Sequence, residues 1–124
     1  MKVEVSDGEL VDKMVILQIK KERIEDPAKV ANVVKELELL KVSVGQISPP
    51  PPAELIGELK TINEALWVIE DDIRLKEAKG EFDDEFIQLA RSVYVTNDQR
   101  ADAKRKINQF TNSELIEEKS YGEY

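Results

Sequence analysis

The chain has 124 residues, of which 35% are charged and 41% hydrophobic, and its formal net charge is −8 with no cysteine and no histidine. That size accommodates one domain with a hydrophobic core, and the balance suits amphipathic helices better than a disordered segment. Disulfides, thiolate chemistry, Cys or His metal ligation and histidine acid/base catalysis are excluded, and the acidic surplus argues against a general nucleic-acid surface. No apolar run approaches the roughly 20 residues that span a bilayer. With no secretory signal evident, the expectation is a cytoplasmic protein with no membrane and no nucleic-acid partner.

Val3-Glu4-Val5 opens with strand-like alternation. Ser6-Asp7-Gly8-Glu9 then has capping-box spacing, and it predicts a first helix from about Asp7 to Ile24. Leu10, Met14, Leu17 and Ile24 form its main stripe, widened by Val11 and Val15, while Ile16 and Ile19 lie on the other side. Apolar nearly all round at its middle, this reads as a central helix covered on more than one face. Asp26-Pro27 starts a second helix, predicted to run to about Leu40 on Val30, Val33, Val34 and Leu37. Val42 to Val44 alternates again and would pair with Val3 to Val5 as a minor two-stranded ribbon. It opens a Pro-rich joint over 42–52, in which Pro49 to Pro52 must be extended and is expected to be a stiff spacer rather than a ligand for an aromatic groove.

The third helix begins near Ala53 and is the clearest. Leu55, Leu59, Ile62, Leu66, Ile69, Ile73 and Lys76 step by four and three, a coiled-coil seam. Gly80 closes it, Asp83 or Asp84 caps a fourth helix, and the short joint makes the two an antiparallel hairpin with arms of roughly 35–40 Å. The inner face of the fourth helix is read as Phe86, Ala90, Val93, Asn97, Ala101, Lys104 and Asn108. Ser113 would cap a short helix over 114–119 before a polar tail at 120–124. The expected fold is therefore all-α and bundle-like. A long hairpin of helices three and four packs with two shorter helices in a single domain over 1–124.

The polar second half of the fourth helix is the feature that invites a function. Folding the hairpin about its joint places Lys104 near Glu58, and Arg100 near Ile62 and Asn63. Such groups must be paired or solvated, because a lone buried charge costs several kcal/mol. They could form a pocket between helices, lie in water beyond the shorter helices, or set the register of an oligomer interface. Ligand-binding candidates are Tyr94, Asn97, Asp98 and Arg100, with Lys13 and Lys20 from the first helix. A second stripe on the third helix carries Trp67, Glu70 and Arg74 as interface candidates. There Glu70–Arg74 and Asp72–Lys76 are expected ion pairs, and the Trp67 indole needs cover from the first helix or a second subunit.

Two enzyme readings are weaker. Helical nucleotide pyrophosphohydrolases hold magnesium on paired Glu-x-x-Glu motifs, and Glu22/Glu25, Glu114/Glu117, Glu9/Asp12 and Glu81/Asp84 have related spacings. Those are numbers that chance supplies in so acidic a chain. Helical chorismate mutases bind a dicarboxylate with Arg, Lys and Gln, which Lys13, Lys20, Arg23 and Arg100 imitate only crudely. The cluster Arg100, Lys104, Arg105 and Lys106 is explained by the helix C-terminus it occupies better than by RNA.

Several segments carry a family resemblance: Val5-Ser6-Asp7-Gly8-Glu9-Leu10-Val11-Asp12-Lys13, Ile19-Lys20-Lys21-Glu22-Arg23-Ile24 and Asn63-Glu64-Ala65-Leu66-Trp67. So do Ile69-Glu70-Asp71-Asp72-Ile73-Arg74, Tyr94-Val95-Thr96-Asn97-Asp98 with Arg100, and Glu117-Glu118-Lys119-Ser120-Tyr121. Together they resemble an uncharacterised family of small bacterial and phage helical proteins known only as a domain of unknown function. The resemblance implies a helical cytosolic protein and supplies no activity. The sequence thus leads to a non-enzymatic helical interaction module, self-associating as a dimer, with no cofactor and no metal. The alternative is a small enzyme or ligand-binding protein with a polar pocket between helices.

Overall fold

The computed structural model describes residues 1–124 and contains four helices and no strand. They are α1 (Asp7–Arg23), α2 (Pro27–Val44), α3 (Ala53–Lys79) and α4 (Asp84–Thr111). Helices α3 and α4 form the expected antiparallel hairpin and pack most extensively, while α1 lies against all three other helices and α2 against α1 only. The central role read for the first helix follows from its composition: Val11, Val15 and Ile19 are buried along one line, and Met14 and Leu17 on a neighbouring one. Leu37 of α2, Leu59 of α3 and Ile107 of α4 join Val11 and Val15 in the core.

Local chemistry fixes the helix ends. The Asp26 carboxylate accepts the Ala28 amide at 2.9 Å, with Pro27 in the first turn of α2. Gly80 takes the left-handed conformation, φ 66°, after α3, and the Glu81 amide reaches back to the Lys76 carbonyl at 3.0 Å. Asn112 does the same after α4 at φ 55°. The Asp83 side chain caps α4 by accepting the Phe86 amide at 2.9 Å.

Four local expectations are corrected. The ribbon does not form: Val42 to Val44 is the last turn of α2, which runs four residues past Leu40, and Val3 is exposed in irregular chain. Three alternating residues with no third strand cannot offset the ordering of two strands, whereas a helix continues at one hydrogen bond per residue. The short helix over 114–119 is absent as well. From Ser113 to Tyr124 the chain is an irregular strap along α4 and the start of α1, because Ser113 and Glu117 serve α1 rather than a helix of their own. The third correction is the phase of α4. Its buried line is Thr96, Ala103 and Ile107, a heptad frame that continues back through Val93, Leu89 and Phe86. The frame read from sequence shares Phe86 and Val93 with this line but slips one position at Asn97, Ala101 and Lys104, while its Asn108 is buried beside Ile107. Fourth, Lys76 does not pair with Asp72 but gathers Glu81, Asp83 and Glu85 at the hairpin tip, at 2.9–3.1 Å. These carboxylates hold its pKa well above the usual lysine range, with Asp83 the largest influence.

The hairpin outreaches the body. Every buried residue of α3 lies at or before Leu66 and every one of α4 at or after Thr96, so no residue from Trp67 to Val95 is buried.

Candidate functional site

The polar half of α4 is covered by its own chain, chiefly by α1 and the strap. Asp12 of α1 is completely buried yet ionisable, and it stands four residues after Gly8 and three before Val15, in register with buried positions. Its carboxylate receives Arg100 Nε at 3.0 Å on Oδ1 and Arg100 Nη2 at 2.5 Å on Oδ2, a two-pronged pair. Asn63 Nδ2 donates to the same Oδ1 at 2.9 Å, which realises the expected meeting of Arg100 with Asn63 but through a third partner. The Asp12 contact raises the Arg100 pKa, so the guanidinium stays charged throughout. One turn towards the start of α1, Glu9 accepts Lys104 Nζ at 2.5 Å and lies 3.7 Å from Lys13. Lys104 therefore pairs with Glu9 rather than Glu58, which takes Lys106 at 2.9 Å instead.

The first turn of α1 is satisfied from the far end of the chain. The Gly8 amide donates to Asn108 Oδ1 at 2.6 Å, and the Asp7 amide to Ser113 Oγ at 3.0 Å. The Thr111 hydroxyl donates to Asp7 Oδ2 at 2.7 Å. Ser6 Oγ accepts the Glu9 amide at 3.1 Å, the expected half of the capping box, and donates to Glu117 Oε1 at 2.5 Å. The reciprocal half is missing because Glu9 turns to Lys104. At Gly8 the two helices approach so closely that a Cβ would stand 2.4 Å from the Lys104 carbonyl oxygen, and glycine is required there.

Two clefts flank Arg100. The first, about 460 Å³, lies between α4 and the strap, and the candidates Tyr94, Asn97, Asp98 and Arg100 all line it. Lys104, Lys119, Tyr121 and Tyr124 complete its polar lining, none of them among the residues singled out for a ligand. Asp98 receives the Tyr124 hydroxyl and Lys119 Nζ, and the Tyr124 hydrogen bond above all lowers the Asp98 pKa. The Tyr124 hydroxyl is raised in turn by Asp98. Farther along the strap, Arg105 pairs with Glu118 at 2.8 Å, which lowers the Glu118 pKa. The second cleft, about 430 Å³, continues the α3–α4 groove beyond Ile16 of α1, and the interface candidates Trp67, Glu70 and Arg74 line it together with Asn97 and Arg100. Trp67 is half-buried there, and Arg74 makes the expected pair with Glu70 at 3.3 Å.

Lys13 and Lys20 line neither cleft; Lys13 is turned to Glu9, and Lys20 has no ion-pair partner. The acids weighed for magnesium are dispersed. Glu9 and Asp12 are taken by Lys104, Arg100 and Asn63, Glu22 by Lys60 at 2.7 Å, and no three carboxylates gather as a metal ion needs. One cation, Arg100, is thus held by the buried Asp12 and a second, Lys104, by the partly buried Glu9.

A family model described as a family of unknown function, DUF6165, matches residues 1–123. The chain belongs to the DUF6165 family. No curated protein and no solved structure matches this DUF6165 chain. No helix of this DUF6165 member is long and apolar enough to cross a membrane.

Proposed function

We propose that this protein is a non-enzymatic helical interaction module that self-associates through the distal half of its α3–α4 hairpin. The observation that supports it is the stretch from Trp67 to Val95, which holds no buried residue although its sequence is patterned for burial. Val68 and Leu75 stand seven residues apart on α3, 45% and 59% exposed, and Ile87 on α4 is 50% exposed. Two helices alone cannot cover a seam; a second hairpin laid against them completes a four-helix arrangement. The groove that α1 fills as far as Ile16 stays open past Trp67, which leaves room for the partner.

A two-fold interface pairs one surface with itself, so it needs both signs of charge. The distal hairpin has Lys79 and Arg91 free of ion pairs, along with Asp71, Asp72 and Glu77. Its eight acids outnumber its four bases, so association should strengthen as salt screens the surplus. In this reading the module acts in the cytoplasm as a homodimer and uses no cofactor.

Light scattering and sedimentation test it. The wild-type protein should be dimeric at about 10 μM, a concentration at which such interfaces commonly hold. Ile87→Glu and Leu75→Glu, both at exposed positions, should give monomers that keep the wild-type helical content by circular dichroism and whose melting temperature, unlike the wild type's, does not depend on protein concentration. A wild-type protein that stays monomeric to about 100 μM at 0.3 M salt refutes the proposal.

A further inference from the structure

We infer that the cleft between α4 and the strap is a binding site for a small aromatic monocarboxylate. The first ground is the placement of the aromatic residues. The chain has only three tyrosines, at 94, 121 and 124, and all three line this one cleft although α4 and the strap bring them from different elements. Tyr94 and Tyr124 meet edge to face with centroids 5.3 Å apart, and Lys119 Nζ lies 5.6 Å from the centre of the Tyr121 ring. Their rings and Val93 give the apolar, flat-sided lining that an aromatic body stacks against.

The second ground is the imbalance between unused donors and unused acceptors. Arg100 commits Nε and Nη2 to Asp12 and leaves Nη1 without a protein partner. Lys104 is held by Glu9 and Lys119 by Asp98, each with ammonium hydrogens to spare. Asn97 makes no side-chain hydrogen bond within the protein and lines both clefts. The one lining acid, Asp98, is already occupied by Lys119 and Tyr124. The charged groups that the cleft leaves open are all donors, its open acceptors being neutral oxygens only, and its complement is a group that accepts.

Charge and size narrow the class. Three bases and one acid line the cleft itself. Glu9 and Asp12 stand directly behind Lys104 and Arg100, and with Asp98 they match the three cations one for one. The open donors rather than a net positive field therefore favour an accepting group, and a single negative charge is favoured over two. The volume of about 460 Å³ suits a molecule of one or two rings. Because Arg100 and Lys104 are fixed by acids outside the cleft, a carboxylate meets donors already in place.

The test uses the full chain and 1-naphthoate as the probe, titrated at low salt by calorimetry and by ligand-observed NMR. Saturable binding at about 1 mM or tighter is expected, with the neutral 1-naphthalenemethanol at least about tenfold weaker and inorganic phosphate unable to displace the probe. Asn97→Leu and Tyr121→Ala should each weaken 1-naphthoate by about tenfold while leaving the melting temperature unchanged. The inference is overturned by any of three results: no saturation with 1-naphthoate, equal binding of the alcohol, or variants that bind the probe like the wild type. Displacement by phosphate at comparable concentration overturns the monocarboxylate assignment.

Discussion

Replacing Arg100 by methionine isolates the most consequential polar contact in the protein. Asp12 has no solvent exposure and accepts three hydrogen bonds, two from Arg100 and one from Asn63. Arg100→Met removes two of the three and the only cation in contact, while methionine fills much of the arginine stem's volume. An uncompensated carboxylate buried in this way costs about 3–5 kcal/mol, a large share of the 5–15 kcal/mol that typically holds a domain together. With a urea slope near 2 kcal/mol/M, the unfolding midpoint should fall by about 1.5–2.5 M. The double variant Asp12→Asn with Arg100→Met keeps an oxygen for Asn63 and no charge. It should therefore be more stable than Arg100→Met alone by about 1.5 kcal/mol or more, although it carries one further substitution. Urea unfolding followed by circular dichroism reads both. A single variant costing less than about 1 kcal/mol at unchanged slope, or a double variant whose cost is the sum of the two singles, refutes the buried-pair argument.

Two further predictions concern other parts of the chain. Gly8→Ala should destabilise by about 1–3 kcal/mol because its Cβ would stand 2.4 Å from the Lys104 carbonyl oxygen, whereas Gly57→Ala, with nothing within 4 Å, should stabilise by about 0.5–1 kcal/mol; thermal melts of the pair check both signs. The strap should be attached over a window of pH. Asp98 and Glu118 have lowered pKa values in the folded protein, so their contribution is present above the ordinary carboxylate range, about 4, and is lost as pH falls through their folded values. Tyr124 is raised, so its contribution is present below about pH 10 and is lost as pH rises through its folded value. NMR shifts of the Tyr121 and Tyr124 rings should hold steady between those limits and move at both ends; strap signals that titrate near neutrality would contradict this.

What the sequence displays depends on whether apolar residues mark the buried positions. In α3 they largely do, with Leu59 and Leu66 buried, Leu55 and Ile62 partly buried and Asn63 the one polar exception, and both the helix and its seam were legible. In α4 the inner positions after Val93 are Thr96, Arg100 and Ala103, which carry little apolar signal, so the phase settled one residue away. Arg100 is tolerated at an inward position because Asp12 answers it from α1. A lone acid within a buried stripe was the available clue, and pairing it with Arg100 requires knowing that α1 crosses α4 there. The cleft was half legible: Tyr94, Asn97, Asp98 and Arg100 lie on one helix, but Tyr121 and Tyr124 reach it through a strap with no periodicity to betray its course. Ser113 resembled a helix cap for the same chemical reason that it now binds α1, since a hydroxyl accepts whichever orphan amide is brought to it.

The distant origin of the groups that finish α1 has a consequence in time. The Gly8 amide and the Asn108 oxygen that accepts it are separated by 100 positions, and Ser6 and Glu117 by 111. At a synthesis rate of about 5–20 residues per second, the opening turn of α1 waits roughly 5–20 s on the ribosome before its partner exists. During that interval Gly8 and Asp12 face no Asn108 and no Arg100, and the amphipathic α1 is free to engage whatever is near it. The completed fold is therefore sealed late, at the point where the start of α1 meets the end of α4 and the strap.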